Sequence, residues 1–338
     1  MKKYSGIDLH QNNSVVTVTD EADRVMAEKR LPNELTRILD FLQPHRDELA
    51  GVVVESTFNW YWLVDGLQEA GYTVHLANTT AIKKYAGLKH SGDETDARHL
   101  AQLLRLGILP TGTILPKEQR AVRDLARKRM QLVRGRTAHI LAVENITARQ
   151  FGARISSNQV KHLTADEIDR MPLHADVALA LKANIAVINA TSAQIDLLEK
   201  RLQEILKERP EYALLTSVPG IGKILAAIIL LEIGTIGRFA DVGNFASYAR
   251  CVDSVYTSNN KKKGEGNTKN GNKYLSWAFV EAANFALRYC AEAKRFYERK
   301  KAKGNSVIAR KALAHKLARA CYHILKDGKP FDVGRCFA

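Results

Sequence analysis

Two aspartates lie three residues apart in the stretch SGDETDARHLAQLL, residues 91–104. Apolar residues recur behind Asp93 and Asp96 at helical spacing, so the pattern predicts a helix that begins at this pair. Side chains three apart on a helix are neighbours, with about 5–6 Å between Cβ atoms, so the two carboxylates should lie side by side. Two interpretations follow: Asp93 caps the helix and meets its dipole, or the pair binds a cation.

Two further acidic residues end predicted strands. Asp8 lies at the end of the strand YSGIDL, and Glu55 ends the continuous apolar strand GVVVES. Side chains at such strand ends project into the crevice where open α/β sheets bind ligands. Four converging carboxylates would repel one another, whereas Mg²⁺ accepts carboxylate oxygens together with water and phosphate oxygens. The set is therefore predicted to hold Mg²⁺, and a pair of such ions would stabilise the attacking and leaving oxygens of phosphoryl transfer.

The elements that carry these residues follow the order of a ribonuclease H-like, or RuvC-like, domain. Consecutive hairpin-like strands followed by alternating helices and strands indicate an α/β domain built on a mixed sheet. The predicted elements are strands at 4–9, 14–19 and 24–30, a helix at about 34–48, the strand that ends at Glu55, a helix at 60–70 and a strand at 72–77. We expect this domain to span residues 1–115.

The rest of the chain is predicted to be helical. A long basic helix is expected over 117–150, and a seven-residue repeat from Leu181 to Ile205 is typical of a coiled coil or a long helical hairpin. These elements form a coiled-coil-like middle segment, 116–210. A mainly α C-terminal domain, 211–338, follows, and a flexible loop rich in glycine, asparagine and lysine interrupts it at 259–273.

Basic residues are concentrated in three stretches. The 338-residue chain has a net charge of +15, and residues 117–136, 258–274 and 294–319 together hold 23 basic residues but only 4 acidic ones. Such concentration is expected of a polyanion-binding surface, so nucleic acid is the predicted partner. The residues expected to contact it are Arg127, Lys128, Arg129, Arg134, Arg136, Lys261, Lys262, Lys263 and Lys269.

Two smaller features add to this prediction. In SVPGIGKILA, residues 217–226, apolar residues flank a turn as in a helix-hairpin-helix element. Gly220 and Gly222 would let backbone N–H groups approach a phosphate, and a tight turn between packed helices is the alternative. Ser258 leads into the lysine-rich loop, where neighbouring cations or a metal could activate it as a nucleophile. An ordinary loop serine is the alternative there.

Several classes of protein are excluded by the same sequence. The longest apolar run, 224–231, is far shorter than the ~20 residues that cross a bilayer. No apolar segment follows the two N-terminal lysines, so a secretory signal is not expected. The four cysteines lie far apart without a CxxC pair, which indicates reduced thiols rather than a zinc site. We therefore expect a cytoplasmic protein.

Long runs of the chain resemble one family. ESTFNWYWLVDGLQEAGYTVHLAN at 55–78 and GLKHSGDETDARHLAQLLRLGILP at 87–110 resemble DEDD-type insertion-sequence transposases of the IS110 family, in its IS1111 branch. SVPGIGKILA and SNNKKKGEGNTKNGNKYLSWAFVEAA, at 258–283, resemble that family's C-terminal transposase domain. The resemblance implies a RuvC-like nuclease domain, joined by a helical segment to a domain with a catalytic serine. It also implies recombination of donor and target DNA guided by a structured non-coding RNA.

The resemblance also assigns roles to particular residues. It implies that Ser258 is the nucleophile, but many relatives have Ser-Gly after a proline there, whereas this chain has Thr257-Ser258-Asn259. Ser254 is therefore a second candidate. The implied metal ligands are Asp8, Glu55, Asp93 and Asp96.

The expected function is that of a DNA transposase that forms a phosphoserine link, with Mg²⁺ bound by its carboxylates. A site composed from two remote domains also suggests a homo-oligomer. One alternative is a junction-resolving nuclease that uses water in place of Ser258. An actin-like ATPase, which also opens with a strand such as GIDLH, is another, but it leaves the basic stretches unexplained.

Overall fold

The computed structural model describes residues 1–82, 92–252, 255–265 and 270–337, with only the backbone of 255–256, 262 and 264–265. The chain divides into two compact units, Met1–Ile114 and Leu115–Ala338. The three-part division at 115 and 210 stays a prediction. In the described part of the chain, no helix is both long enough and apolar enough to cross a membrane.

The first unit is a six-stranded mixed sheet with helices on both faces. Its elements are β1 (Lys3–Leu9), β2 (Asn13–Thr19), β3 (Val25–Pro32), α1 (Leu35–Leu42), β4 (Leu49–Glu55), α2 (Tyr61–Glu69), β5 (Val74–Ala77), α3 (Asp93–Arg105) and β6 (Thr111–Gly112). The strand order is β3-β2-β1-β4-β5-β6, with β1 antiparallel to β2 and parallel to β4. This mixed sheet is consistent with the predicted ribonuclease H-like domain.

Two local differences from the predicted elements have simple causes. The helix expected over 34–48 ends at Leu42, and a 3₁₀ turn, Gln43–Glu48, takes its place. Pro44 lies in this turn, and a proline inside an α-helix removes a backbone hydrogen bond and clashes with the preceding turn. The short edge strand β6 was not predicted, because its two residues give no alternation to detect.

The two faces of the sheet have different partners. Ile7 and Leu9 of β1 face the apolar core formed with α1 and α2. Because successive side chains of a strand alternate, Gly6 and Asp8 belong to the opposite face, on which α3 packs. Val53 of β4 contacts α3 on that same face. Only the face covered by α3 therefore carries the acidic strand ends.

The absence of a side chain at Gly6 allows α3 to approach β1 closely. A Cβ atom built on Gly6 would lie 2.0 Å from the carbonyl oxygen of Ala97 and 2.9 Å from the backbone nitrogen of Ala101. Both Ala97 and Ala101 are fully buried. Small residues on both elements therefore set the distance between α3 and β1, and with it the distance between the acidic residues that they carry.

The second unit is mainly helical. Its elements are α4 (Lys117–Phe151), α5 (Ser157–His162), α6 (Ala165–Asp169), α7 (Ala175–Leu206), α8 (Pro210–Thr216), α9 (Lys223–Ile233), α10 (Val242–Tyr248), β7 (Val255–Ser258), β8 (Lys261–Glu265), α11 (Lys273–Tyr289), α12 (Ala291–Lys301), α13 (Ser306–Asp327) and α14 (Val333–Phe337). Its largest core surrounds α9, α11 and α13.

Helices α4 and α7 pack on each other as a long antiparallel hairpin. Every residue of one predicted heptad register on α7 is buried: Leu181, Ile188, Ile195 and Leu202. The second register, which begins at Asn184, is only half-buried. Asn184 accounts for part of this difference, since its side-chain oxygen lies 2.9 Å from Nδ1 of His139 on α4.

The loop predicted over 259–273 is wrong for its first part, because Lys261–Glu265 forms β8 and pairs with β7. Asn259 and Asn260 connect the strands, with φ angles of 51° and 58°. Two consecutive left-handed residues make the tight turn that matches the twist of a hairpin, and asparagine tolerates this conformation. The sequence NN was therefore a turn signal that the lysine-rich composition obscured.

Replacing Gly6 by alanine tests the close approach of α3. The added Cβ meets the backbone of α3, so we expect Gly6→Ala to lower the free energy of unfolding by about 1–3 kcal/mol or more. Denaturant unfolding measured by tryptophan fluorescence would show the loss. Gly135→Ala on α4 is the matched control, because its Cβ would meet no atom within 4 Å. Equal stability of the two variants would contradict the proposed contact.

Candidate active site

Asp8 and Glu55 end two adjacent parallel strands. The register pairs Gly6 of β1 with Val53 of β4, so Asp8 and Glu55 hold equivalent positions two residues further along. Side chains two apart in a strand share a face, so both belong to the face that α3 covers. Asp8 is only 3% exposed. Burying a carboxylate costs free energy unless a polar or charged group pairs with it. Asp8 therefore requires such a partner.

The N-terminus of α3 supplies the second pair of carboxylates. Asp93 is its first residue, and Asp96 lies in its first turn. The N-cap residue is Gly92, and no side chain caps the helix. Asp93 therefore does not cap α3, although acidic residues in a first turn still interact favourably with the helix dipole.

A histidine lies between the two acidic elements. His10 Nε2 is 3.3 Å from Oδ2 of Asp8 and 3.2 Å from Oδ2 of Asp93. One ligand atom from each of these residues lies within 4.8 Å of the others. The backbone carbonyl of His10 accepts hydrogen bonds from the side-chain amides of Asn33, at 2.9 Å, and Asn59, at 3.0 Å. The structure thus brings Asp8 and Asp93 together and adds a residue that the sequence analysis missed.

Arg30 is the second residue that the sequence analysis missed. Its Nη2 donates to Oδ2 of Asp93 at 2.6 Å, and its Nη1 donates to Oδ1 of Asn13 at 2.9 Å. The hydrogen bond from Arg30 lowers the pKa of Asp93, so this carboxylate stays ionised at neutral pH. Strand register explains the position, because Asp8 pairs with Val15 and Val15 pairs with Arg30. Aligning the predicted hairpin strands could have shown that Asp8, Val15 and Arg30 lie side by side on neighbouring strands.

Two other arginines fasten α3 to the hairpin of β2 and β3. Arg98 donates from two nitrogens to the carboxylate of Glu28, at 2.6 and 2.5 Å. Arg105 does the same to Asp23, again at 2.6 and 2.5 Å. Exposed ion pairs contribute little stability, but two parallel hydrogen bonds fix direction as well as distance. They therefore orient α3 and the aspartates in its first turn.

The donor atoms of this cluster suit a divalent cation. Carboxylate oxygens are the ligands that Mg²⁺ prefers, and Arg30 keeps Asp93 in its charged form. Buried Asp8 lacks bulk water, so a cation beside it would compensate its charge. Glu55 ends β4 and Asp96 lies in the first turn of α3, but neither belongs to the group of ligand atoms that lie within 4.8 Å of one another. The arrangement can therefore hold a metal where a phosphate oxygen could also bind.

Ser258 lies in the second unit, as the last residue of β7. It pairs with Lys261 across the hairpin, and both side chains are exposed, as is that of Lys263. Ser254 and Lys269 lie outside the described residues, and of Lys262 only the backbone is described. The hairpin thus presents a serine and lysines next to a tight turn.

The predicted nucleic-acid residues of α4 divide into two groups. Arg127 donates two hydrogen bonds to the buried carboxylate of Glu232, at 2.6 and 2.7 Å, and Arg129 donates to Glu199 at 2.7 Å. Arg136 donates to the hydroxyl of Ser192 at 3.0 Å. These arginines connect helices within the unit. The side chains of Lys128 and Arg134, in contrast, are exposed.

The two glycines of the turn before α9 also differ in role. Gly220 has a φ of +86°, and a Cβ there would lie 2.2 Å from the carbonyl oxygen of Ala282 on α11. This glycine permits close packing of the turn on a helix, which is the alternative considered in the sequence analysis. Gly222 is the N-cap of α9, and a Cβ there would meet no atom within 4 Å. Only Gly222 leaves open space beside a helix N-terminus.

Comparison with known proteins gives matches to two transposase family models. The DEDD transposase model of IS110 matches residues 5–148, which include all four acidic residues. The model described as "Transposase IS116/IS110/IS902 family" matches residues 212–298, which include Ser258.

Curated relatives are similar over almost the entire chain. A probable family 20 transposase of Pseudomonas aeruginosa is 24% identical over 95% of this chain and 96% of its own length. The mini-circle putative transposase for IS117 of Streptomyces coelicolor is 24% identical over 99% and 96%. The transposase for insertion sequence element IS1328 of Yersinia enterocolitica is 22% identical over 97% and 98%.

Together, the acidic edge of the mixed sheet and these matches establish the kind of protein. The chain carries the DEDD and C-terminal transposase domains of the IS110/IS116 family, and it is a transposase, an enzyme that cleaves and joins DNA strands.

Proposed function

We propose that this transposase cuts and rejoins DNA strands by transesterification, with Ser258 as the nucleophile and a divalent cation, Mg²⁺, held by Asp8, Glu55, Asp93 and Asp96. The observation that supports the proposal best is the cluster of Asp8, His10 and Asp93 at one edge of a DEDD transposase domain. An actin-like ATPase has no support beside these transposase matches.

The acidic residues hold charge where a phosphate must bind. When bound, Mg²⁺ would polarise the scissile phosphate and stabilise the departing oxygen. Asp93 is kept ionised by Arg30, and the buried position of Asp8 keeps water away from its carboxylate. Because their elements pack closely at Gly6, the carboxylates of β1 and α3 need little rearrangement when substrate binds.

In the proposed reaction, Ser258 acts on a DNA phosphate. Its hydroxyl oxygen attacks phosphorus, the bond from phosphorus to the 3′ oxygen breaks, and that oxygen leaves as a hydroxyl with the proton that serine lost. The product is a phosphoserine link, which conserves the phosphodiester bond energy for rejoining. Lys261, the cross-strand partner of Ser258, adds positive charge beside the attacking group.

We also propose that copies of the chain assemble, so that serine and carboxylates of one reaction centre can come from different subunits. The hairpin of α4 and α7 is the element suited to this assembly. Large apolar side chains remain exposed on it: Leu141 at 47%, Leu179 at 67%, Val187 at 41% and Leu197 at 59%. Exposed apolar surface of this kind favours association between chains.

Donor and target DNA and a structured guide RNA are the proposed nucleic-acid partners. The net charge of +15 supports binding of polyanions in general. The exposed cations on α4 and on the hairpin of β7 and β8 are the candidates for phosphate contacts: Lys128, Arg134, Lys261 and Lys263. The family resemblance, rather than charge, is what favours RNA as one of the partners.

The salt dependence of binding tests the role of exposed cations on α4. Each phosphate contact on duplex DNA contributes ~0.9 to the log–log slope of affinity against salt. We expect the double variant Lys128→Gln, Arg134→Gln to reduce the magnitude of this slope by the contribution of one to two phosphate contacts. Lys200→Gln, Lys207→Gln, two exposed lysines on and just after α7, is the control and should leave it unchanged. An unaltered slope in the Lys128→Gln, Arg134→Gln variant would show that these two side chains do not contact DNA phosphates.

Covalent trapping tests the serine. On a nicked DNA substrate that spans the element end, the wild type should form a protein–DNA adduct that survives denaturant. Ser258→Ala should bind the same DNA but form no adduct, because the attacking oxygen is missing. Ser254→Ala is the matched control and should keep the adduct. If only Ser254→Ala abolishes it, the nucleophile is misassigned. Cleavage without an adduct in any protein would favour the nuclease that uses water.

A further inference from the structure

We propose that His10 is a nitrogen ligand of the divalent cation, so that the metal centre is a mixed cluster of Asp8, His10 and Asp93 rather than an all-carboxylate site. This inference rests on the metal site of the proposed function and adds a residue that the four-carboxylate scheme lacks. It predicts that the centre favours Mn²⁺ over Mg²⁺ more strongly than carboxylates alone would.

The separations within the cluster match those of ligands around one ion. With metal–ligand bonds of about 2.1 Å, neighbouring ligands at right angles lie about 3 Å apart. The separations of His10 Nε2 from the nearest carboxylate oxygens are 3.3 Å for Asp8 and 3.2 Å for Asp93. An ion could therefore bind all three atoms after small movements of side chains.

The ring nitrogen of His10 is directed into the cluster. His10 Nε2 is shielded from solvent, and among the described residues it finds no partner with hydrogen-bond geometry. The backbone around it is fixed, since its N–H donates to the carbonyl of Asn13 at 2.9 Å. Its own carbonyl is bound by Asn33 and Asn59. A fixed backbone that holds a ring nitrogen between two carboxylates, without hydrogen-bond geometry to either, is what a metal ligand requires.

Arg30 supports Asp93 in the same arrangement. A carboxylate offers about four lone-pair sites, so Asp93 can accept a hydrogen bond from Arg30 and still bind a metal. Outer partners of this kind orient ligating groups and strengthen metal binding. The second contact of Arg30, to Asn13, helps to hold its guanidinium beside Asp93.

A competing role for His10 predicts the opposite result. As an imidazolium ion it would be a counter-charge between Asp8 and Asp93, and a metal would have to displace it. Removing the ring would then tighten metal binding. As a ligand, in contrast, it adds affinity, above all for metals that accept nitrogen. Mg²⁺ demands oxygen ligands and a strict octahedron, whereas transition metals bind imidazole well.

Calorimetric titration of the full chain with Mn²⁺ and with Mg²⁺, without DNA, separates these roles. We expect His10→Asn to weaken Mn²⁺ binding by at least about tenfold, since even an outer partner of a ligand is worth that much. The loss for Mg²⁺ should be smaller. His10→Asp should restore Mg²⁺ binding and lower the preference for Mn²⁺. His162→Asn, at an exposed position on α5, is the matched control and should bind as the wild type does.

The unfolding midpoint of each metal-free variant checks that the fold persists. Unchanged or tighter Mn²⁺ binding by His10→Asn would overturn the assignment of His10 and leave the carboxylate site standing. Failure of the wild type to bind either ion would overturn both this inference and the metal part of the proposed function. The two failures are thus distinguishable.

Discussion

Repulsion between carboxylates is the constraint on which the first unit is built. Asp8 is buried at the end of β1, and α3 brings Asp93 towards it because Gly6 has no side chain to keep the helix away. Like charges at such short range require positive groups between or beside them. Arg30 is the positive group beside Asp93, His10 lies between the two carboxylates, and a divalent cation is the partner that the proposed function adds.

A buried carboxylate is also compensated by positive and polar partners in the second unit, where these contacts stabilise the fold. Glu232 is 4% exposed in the apolar helix α9, and Arg127 neutralises it from α4. Asn272 donates to the same carboxylate at 2.7 Å and caps α11. Removing one partner of a buried ion pair costs about 3–5 kcal/mol, so this network is a structural requirement. It also anchors the chain just beyond the hairpin that carries Ser258.

The sequence predicts most secondary-structure elements and the acidic strand ends, but it does not predict which side chains contact each other across elements. Periodicity and apolar runs locate most strands and helices, and an acidic residue after an apolar strand points to Asp8 and Glu55. The roles of His10 and Arg30 depend on which residues face each other across strands, which periodicity alone does not give. Arg127 resembles its basic neighbours in the sequence, and only the burial of Glu232 distinguishes it. A glutamate within the apolar run of α9 was the available signal.

In the proposed function, the carboxylates of the mixed sheet hold the metal that DNA strand cleavage requires. Cleavage of DNA at the element end by Asp96→Asn and by Glu94→Gln, with Mg²⁺ and with a chelator, tests it most directly. Both residues lie in the first turn of α3, but only Asp96 belongs to the predicted metal set. Loss of a ligand worth several kcal/mol in the transition state predicts a fall of roughly a hundredfold or more for Asp96→Asn, with Glu94→Gln near wild type. Full cleavage by Asp96→Asn, or cleavage by the wild type in chelator, would contradict the account.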